Sequence, residues 1–135
     1  MDAAAALADL TEISPQVEGA VLLEAEGAVL ASTLGNEEAS IRLARTALDL
    51  LAAAPAALGG EQRTLEQLEV ALPTGSVFVA REAERAIVAT TGPSPTSGLV
   101  LYDLRSCLRS LDPPPPPKRT RARKPKAKPE PTADA

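Results

Sequence analysis

The chain switches between two hydrophobic periods, and the switches mark its elements. Ala3, Leu7 and Leu10 recur at spacings of four and three in an alanine-rich opening, which predicts a short helix over residues 2–13, stopped by Ser14-Pro15. Two apolar runs follow, Gly19-Ala20-Val21-Leu22-Leu23 and Ala28-Val29-Leu30-Ala31. The bridge Glu24-Ala25-Glu26-Gly27 puts glycine where a type I hairpin turn needs a left-handed residue. The pair predicts a β-hairpin with strands over residues 18–24 and 27–32. Its apolar residues run almost without a break, so both faces of these strands are expected to be covered.

Asn36, followed by Glu37 and Glu38, has the makings of a helix start: a side chain that can cap free N–H groups and two acids at the positive end of the dipole. The predicted helix runs to Leu58, with Pro55 bending its last turn and Gly59 as the left-handed residue beyond it. Between Arg63 and Thr91 the period becomes two. Leu68, Val70 and Leu72 share one face of a strand while Gln67 and Glu69 share the other, and Pro73-Thr74-Gly75 turns the chain. Residues 76–81 and 86–91 complete a three-stranded meander. After a loop holding Pro93 and Pro95, Ser97 is expected to cap a last helix in which Leu101, Leu104, Leu108 and Leu111 recur at helical spacing. The expectation is therefore an α+β fold, a single five-stranded antiparallel sheet flanked by three helices in the order α-β-β-α-β-β-β-α, over residues 1–112. Residues 113–135 are proline, lysine, arginine and alanine without periodicity, and are expected to be a disordered tail.

The central helix carries more apolar surface than one stripe. Ile41, Ala44, Leu48 and Leu51 fall on one line; Leu43, Ala47, Leu50 and Ala54 fall on a second, roughly 110° away. Glu38, Arg42, Arg45, Thr46 and Asp49 occupy the polar remainder, where Arg45 and Asp49, one turn apart, are expected to pair. One stripe can pack on the sheet. The other needs a cover, either loops or a helix of the same chain or, as the leading reading, the same stripe of a second copy in an isologous homodimer.

Composition narrows the function. Phe78 and Tyr102 are the only aromatic residues, so the core is aliphatic. The single Cys107 excludes an internal disulfide; it lies among leucines of the last helix, where a buried small residue is the expected role. Asp2 follows Met1 and the first basic residue is Arg42, leaving no positive region for a leader, and no apolar run reaches the roughly 20 residues of a membrane span. A cytoplasmic location is expected. The chain has no histidine, which removes the commonest general base and every Ser-His or Cys-His device, and no glycine pattern makes a phosphate loop. The acidic pairs Glu24/Glu26 and Glu82/Glu84 sit at turns, where solvated charge is the expectation. No catalytic residue, cofactor site or metal site is predicted, and an interaction module is.

Charge is divided unevenly. Residues 1–112 carry seven arginines and no lysine against sixteen acids, a balance of −9, whereas residues 113–135 carry seven cations against two acids, a balance of +5. The tail's cations are Lys118, Arg119, Arg121, Arg123, Lys124, Lys126 and Lys128, held off from the acidic body by Pro113–Pro117. Three uses stay open for them: none beyond solvation, nonspecific binding of nucleic acid or an anionic membrane surface, or a proline-motif ligand for another protein.

The segments Leu7-Ala8-Asp9-Leu10 and Val17-Glu18-Gly19-Ala20-Val21-Leu22-Leu23-Glu24-Ala25-Glu26-Gly27-Ala28-Val29-Leu30-Ala31-Ser32 resemble the opening of roadblock-type dynein light chain domains. Gly75-Ser76-Val77-Phe78-Val79, Ala86-Ile87-Val88-Ala89-Thr90 and Ser97-Gly98-Leu99-Val100-Leu101 fall where that family has its fourth strand, fifth strand and last helix. The resemblance covers about residues 2–111 and leaves the tail out. It implies homodimers formed through the second helix and third strand, and a role as partner, activator or scaffold of Ras-like small GTPases. Carried to this sequence, it makes Leu43, Ala47, Leu50 and Ala54 dimer-facing with Leu68 and Val70 on a pairing strand over residues 65–72, and puts Arg42, Arg45 and Asp49 toward the GTPase. The competing reading is a protein that acts on nucleic acid or an anionic membrane through its tail.

Overall fold

The structure, a computed structural model, describes residues 1–57, 59 and 66–113. The expected end of the central helix at Leu58, the start of the pairing strand at Leu65 and the basic tail cluster lie outside them. The elements are α1 (Ala3–Ile13), β1 (Val17–Glu24), β2 (Val29–Ser32), α2 (Glu37–Ala57), β3 (Gln67–Leu72), β4 (Gly75–Glu82), β5 (Arg85–Thr91) and α3 (Ser97–Arg109), the expected order. The strands form one antiparallel sheet in the order β2-β1-β5-β4-β3.

Local chemistry explains the joints. Asp2 caps α1, its carboxylate accepting from the Ala5 N–H at 2.8 Å, and Asn36 does the same for α2 through Ala39 at 2.9 Å. Gly27 N–H donates to the Glu24 carbonyl at 2.8 Å with φ +109°, so the β1–β2 turn closes on the glycine as its sequence requires. Gly59 has φ +71° just past α2. The predicted Ser97 cap is not made: Thr96 occupies the cap position of α3 without a side-chain bond. The Ser97 hydroxyl instead donates to Glu69 of β3 at 2.9 Å, a contact 28 residues away that no local pattern announces.

The sheet is covered unequally. On one face α1 lies over β1 and β2, and α3 over β4 and β5, burying Leu7, Leu10, Leu22, Phe78, Ile87, Val100 and Leu104. On the other face α2 stands alone over β1, β2 and β5, burying Val21, Leu23, Val79, Ala86 and Val88 beneath Ala44, Ala47 and Leu51. β1 and β5 are the hydrogen-bonded centre, and residues 20–23 and 87–89 are 0 % exposed, which accounts for their unbroken apolar runs.

Candidate interaction surface

A helix is about 10–12 Å across, and five strands at ~4.8 Å spacing make a sheet about 19 Å wide. Two helices cover such a face and one does not. On the α2 side, β3 and the near end of β4 are left only partly covered by the described residues. Their side chains there are Leu68, Val70 and Leu72 from β3 and Val77 from β4, brought together by the register Leu68↔Val79, Val70↔Val77 and Leu72↔Gly75. Leu68, Val70 and Val77 are half-buried and Leu72 is 54 % exposed. The flank of α2 that faces this strip carries Leu43, Leu50 and Ala54, also half-buried, and β3 is a sheet border with no strand on its outer side among the described residues. The result is an apolar strip continuous from helix flank to free strand edge.

This corrects the two-stripe reading of α2. The buried line is Ser40, Ala44, Ala47 and Leu51, running between the two lines expected from the sequence. Ala47 is 0 % exposed beneath its own helix and has no surface to offer a partner, so it leaves the set of dimer-facing residues. Ile41, expected against the sheet, is 44 % exposed on the opposite flank. Small residues at 44 and 47 let the helix sit low on the sheet, and the larger leucines splay to either side.

Arg42, Arg45 and Asp49 stand on the arc of α2 that points away from the sheet, all exposed. With Glu38, Ile41 and Thr46 they line a shallow depression of about 360 Å³. The expected Arg45–Asp49 pair does not form, and among the described residues neither guanidinium is in an ion pair. Charges without partners on a rigid helix can meet an external partner without first breaking an internal bond.

Other polar residues are tied up. Glu82, expected to be a solvated turn charge, accepts from Arg109 Nε at 2.9 Å, lies 2.7 Å from Arg109 Nη2 and 3.4 Å from Arg105 Nη2, and Arg105 also donates to Gln67 at 2.9 Å. These bonds fasten α3 to β3 and β4, and their partners, 23 to 38 residues apart, were not visible in the sequence. Cys107 is buried as expected, and burial pushes its thiol up to about 11, further from the reactive thiolate. No helix among the described residues is long and apolar enough to cross a membrane.

A five-stranded antiparallel sheet with two helices on one face, a lone helix on the other and an apolar strip at its edge defines the class of α+β domain to which the molecule belongs. Residues 4–91 match the Roadblock/LC7 domain family, and the chain belongs to it. Its fold is similar to that of a Roadblock/LC7 domain from Streptomyces avermitilis, at 18 % identity over 82 % of this chain and 94 % of that one, TM-score 0.71. It is also similar to MglB of Myxococcus xanthus, at 14 % identity over 78 % and 80 % of the two chains with TM-score 0.63, and to the gliding protein MglB of Thermus thermophilus, at 18 % over 76 % and 82 % with TM-score 0.58. No curated protein matches the chain by sequence.

Proposed function

We propose that the chain is a non-catalytic, cytoplasmic homodimeric platform that binds a Ras-like small GTPase and regulates or scaffolds it. One observation carries the reading: α2 leaves the β3–β4 part of its own sheet face uncovered, beside a free strand edge. A second copy related by a two-fold axis supplies what is missing, because its β3 can pair along the edge while its α2 flank closes over the strip. Leu43, Leu50, Ala54, Leu68, Val70 and Leu72 form this contact, with Val77 beneath them. The two α2 helices then lie side by side and their polar arcs join into one surface carrying Arg42, Arg45 and Asp49 twice over.

Membership of the Roadblock/LC7 family, whose resemblance implies a Ras-like GTPase as partner, supports the reading, and Arg42 and Arg45, in no ion pair among the described residues, supply the charge that such a partner would meet. The test is capture of Ras-like GTPases by the full chain, with the GTPase loaded either with a GTP analogue or with GDP. The expected result is binding that prefers one nucleotide state and is lost in the double variant Arg42→Glu/Arg45→Glu, whose dimer stays intact. Equal recovery with the double variant would place the partner elsewhere, and no recovery in either state would remove the GTPase reading.

A further inference from the structure

The opposite border of the sheet has its own unpartnered surface. Among the described residues β2 has no strand on its outer side, and between it and the first turns of α2 lies an open groove of about 760 Å³. Its apolar lining is Val29, Leu34 and Ile41. The polar atoms within it are satisfied internally: the Ser32 and Ser40 hydroxyls share a hydrogen bond of 2.7 Å, and Ser32 Oγ accepts from the Leu34 N–H at 2.9 Å. What remains uncompensated is charge. Glu37 lines the groove, exposed Glu26 adjoins its lining residue Gly27 at the hairpin tip, and exposed Glu38 follows Glu37 on α2, between this groove and the depression it lines with Arg42 and Arg45; no lysine or arginine is among the groove's own lining residues.

The described part of the chain ends beside this border. Pro113 shares a depression with Leu30 of β2, Arg85 and Met1, and its place is fixed by the bonds around Asp112. The Met1 ammonium lies 2.9 Å from the Asp112 carboxylate, the Asp112 N–H donates to the Met1 carbonyl at 2.8 Å, and Arg85 donates to the Asp112 carbonyl at 2.6 Å. From Pro113 to Lys118 a polyproline II run spans about 16 Å, more than the about 10 Å to a neighbouring layer, so the run expected to hold the cluster off the body here carries it past the border. There the proline run stops. Residues 118–124, Lys-Arg-Thr-Arg-Ala-Arg-Lys, contain no proline, so every one of them has a backbone N–H to give to a strand edge. At strand period Arg119, Arg121 and Arg123 share one face.

We propose that residues 118–124 dock in cis along the outer edge of β2, with Arg119, Arg121 and Arg123 over the acidic rim of the groove formed by Glu26, Glu37 and Glu38. Such a segment covers a bare strand edge, which is otherwise an aggregation hazard, and makes access to the groove sensitive to salt and to competing polyanions. The inference stands on the groove, the edge and the point of departure, and is independent of the GTPase reading.

All four lysines of the chain lie in the tail, at 118, 124, 126 and 128, so zero-length carbodiimide coupling of amines to carboxylates reports directly on where the tail lies. The experiment uses the full chain, as an equal mixture of ¹⁴N- and ¹⁵N-labelled protein, at low ionic strength. Links from Lys118 and Lys124 should concentrate on Glu26, Glu37 and Glu38, within single chains, and fall several-fold in 0.5 M salt. Links spread over Asp9, Glu12, Glu18 and Glu84, or joining different chains, would overturn the proposal. Hydrogen exchange gives a second reading: in the full-length variant Arg119→Gln/Arg121→Gln/Arg123→Gln, amides of β2 should exchange several-fold faster than in the unaltered chain, and equal rates also overturn it.

Discussion

Leu72 offers the sharpest test of the dimer, because its side chain is already 54 % exposed in the protomer and lies on the apolar strip at the free β3 edge. Fully burying a leucine is worth about 1.5–3 kcal/mol, so covering the exposed half contributes about 1 kcal/mol. Two-fold symmetry counts that half twice, once from each copy, giving about 2 kcal/mol for the dimer. Leu72→Ala should therefore weaken the dimer about 30-fold, at 1.4 kcal/mol per factor of ten, while costing each protomer less than about 1 kcal/mol. Ile41→Ala is the matched control: a similar apolar truncation at 44 % exposure, on the flank of α2 that faces away from the strip. Sedimentation equilibrium over a dilution series gives both dissociation constants, and thermal melts at the lowest concentration give the protomer cost. If the two variants dimerise alike, or if Leu72→Ala matches the unaltered chain, the strip is not the interface. A strictly monomeric wild-type chain at high concentration would falsify the dimer itself.

Three further outcomes follow from single positions. Gly75→Ala should destabilise the fold by more than 1 kcal/mol, roughly the lower bound for forcing a Cβ into a packed backbone, because the new Cβ would collide with the Thr91 carbonyl of β5; a denaturant midpoint unchanged from wild type would refute the close approach. Ala83, at φ 55° in the β4–β5 turn, sits in a region that costs an L-residue about 1–2 kcal/mol, so Ala83→Gly should raise the melting temperature even after the greater chain entropy that glycine loses on folding. Cys107 should react with a disulfide reagent far more slowly in the native protein than in denaturant at neutral pH. Since its folded pKa is raised to about 11 from an ordinary value of 9.0, the stability it lends is complete below pH 9 and should drain away between 9 and 11, a decline that Cys107→Ala should lack.

The elements were legible because their signals are local. The β1–β2 turn follows from one glycine, α1 from the spacing of Ala3, Leu7 and Leu10, α2 from the cap at Asn36, and β1 from an apolar run that a doubly covered strand carries, whereas β2, read the same way, is half-buried at the border. What was illegible is non-local. The Ser97–Glu69 bond and the Arg105–Gln67–Glu82 fastening join elements that only the fold brings together, and a cap rule that sees a serine ahead of a helix cannot know that a glutamate on β3 will claim it. The angular arithmetic on α2 was right about how much apolar surface the helix owns and wrong about which line of it faces the sheet. Periodicity locates a stripe only relative to the helix's own axis, and the choice between lines was made by size: alanines at 44 and 47 allow close approach, where leucines at 43, 48 and 50 would hold the helix off.

That choice of line leads back to the element order itself. Three helices serve the sheet and divide two to one between its faces, and a five-stranded face is wider than one helix. The face with one helix is therefore the one left short of cover by the described elements. Sequence then decides whether the uncovered part is water-compatible or a contact. On β3 the residues toward α3 are Gln67 and Glu69, engaged by Arg105 and Ser97 respectively, while those toward the uncovered side are Leu68, Val70 and Leu72. A strand meant to stay wet on that side would carry its polar residues there. This one carries leucine and valine, next to a helix flank of Leu43 and Leu50, the composition of a contact surface. Under the proposed dimer, a second α2 and a second β3 about a two-fold axis supply that surface, so substitutions on the strip should change assembly before they change the protomer fold.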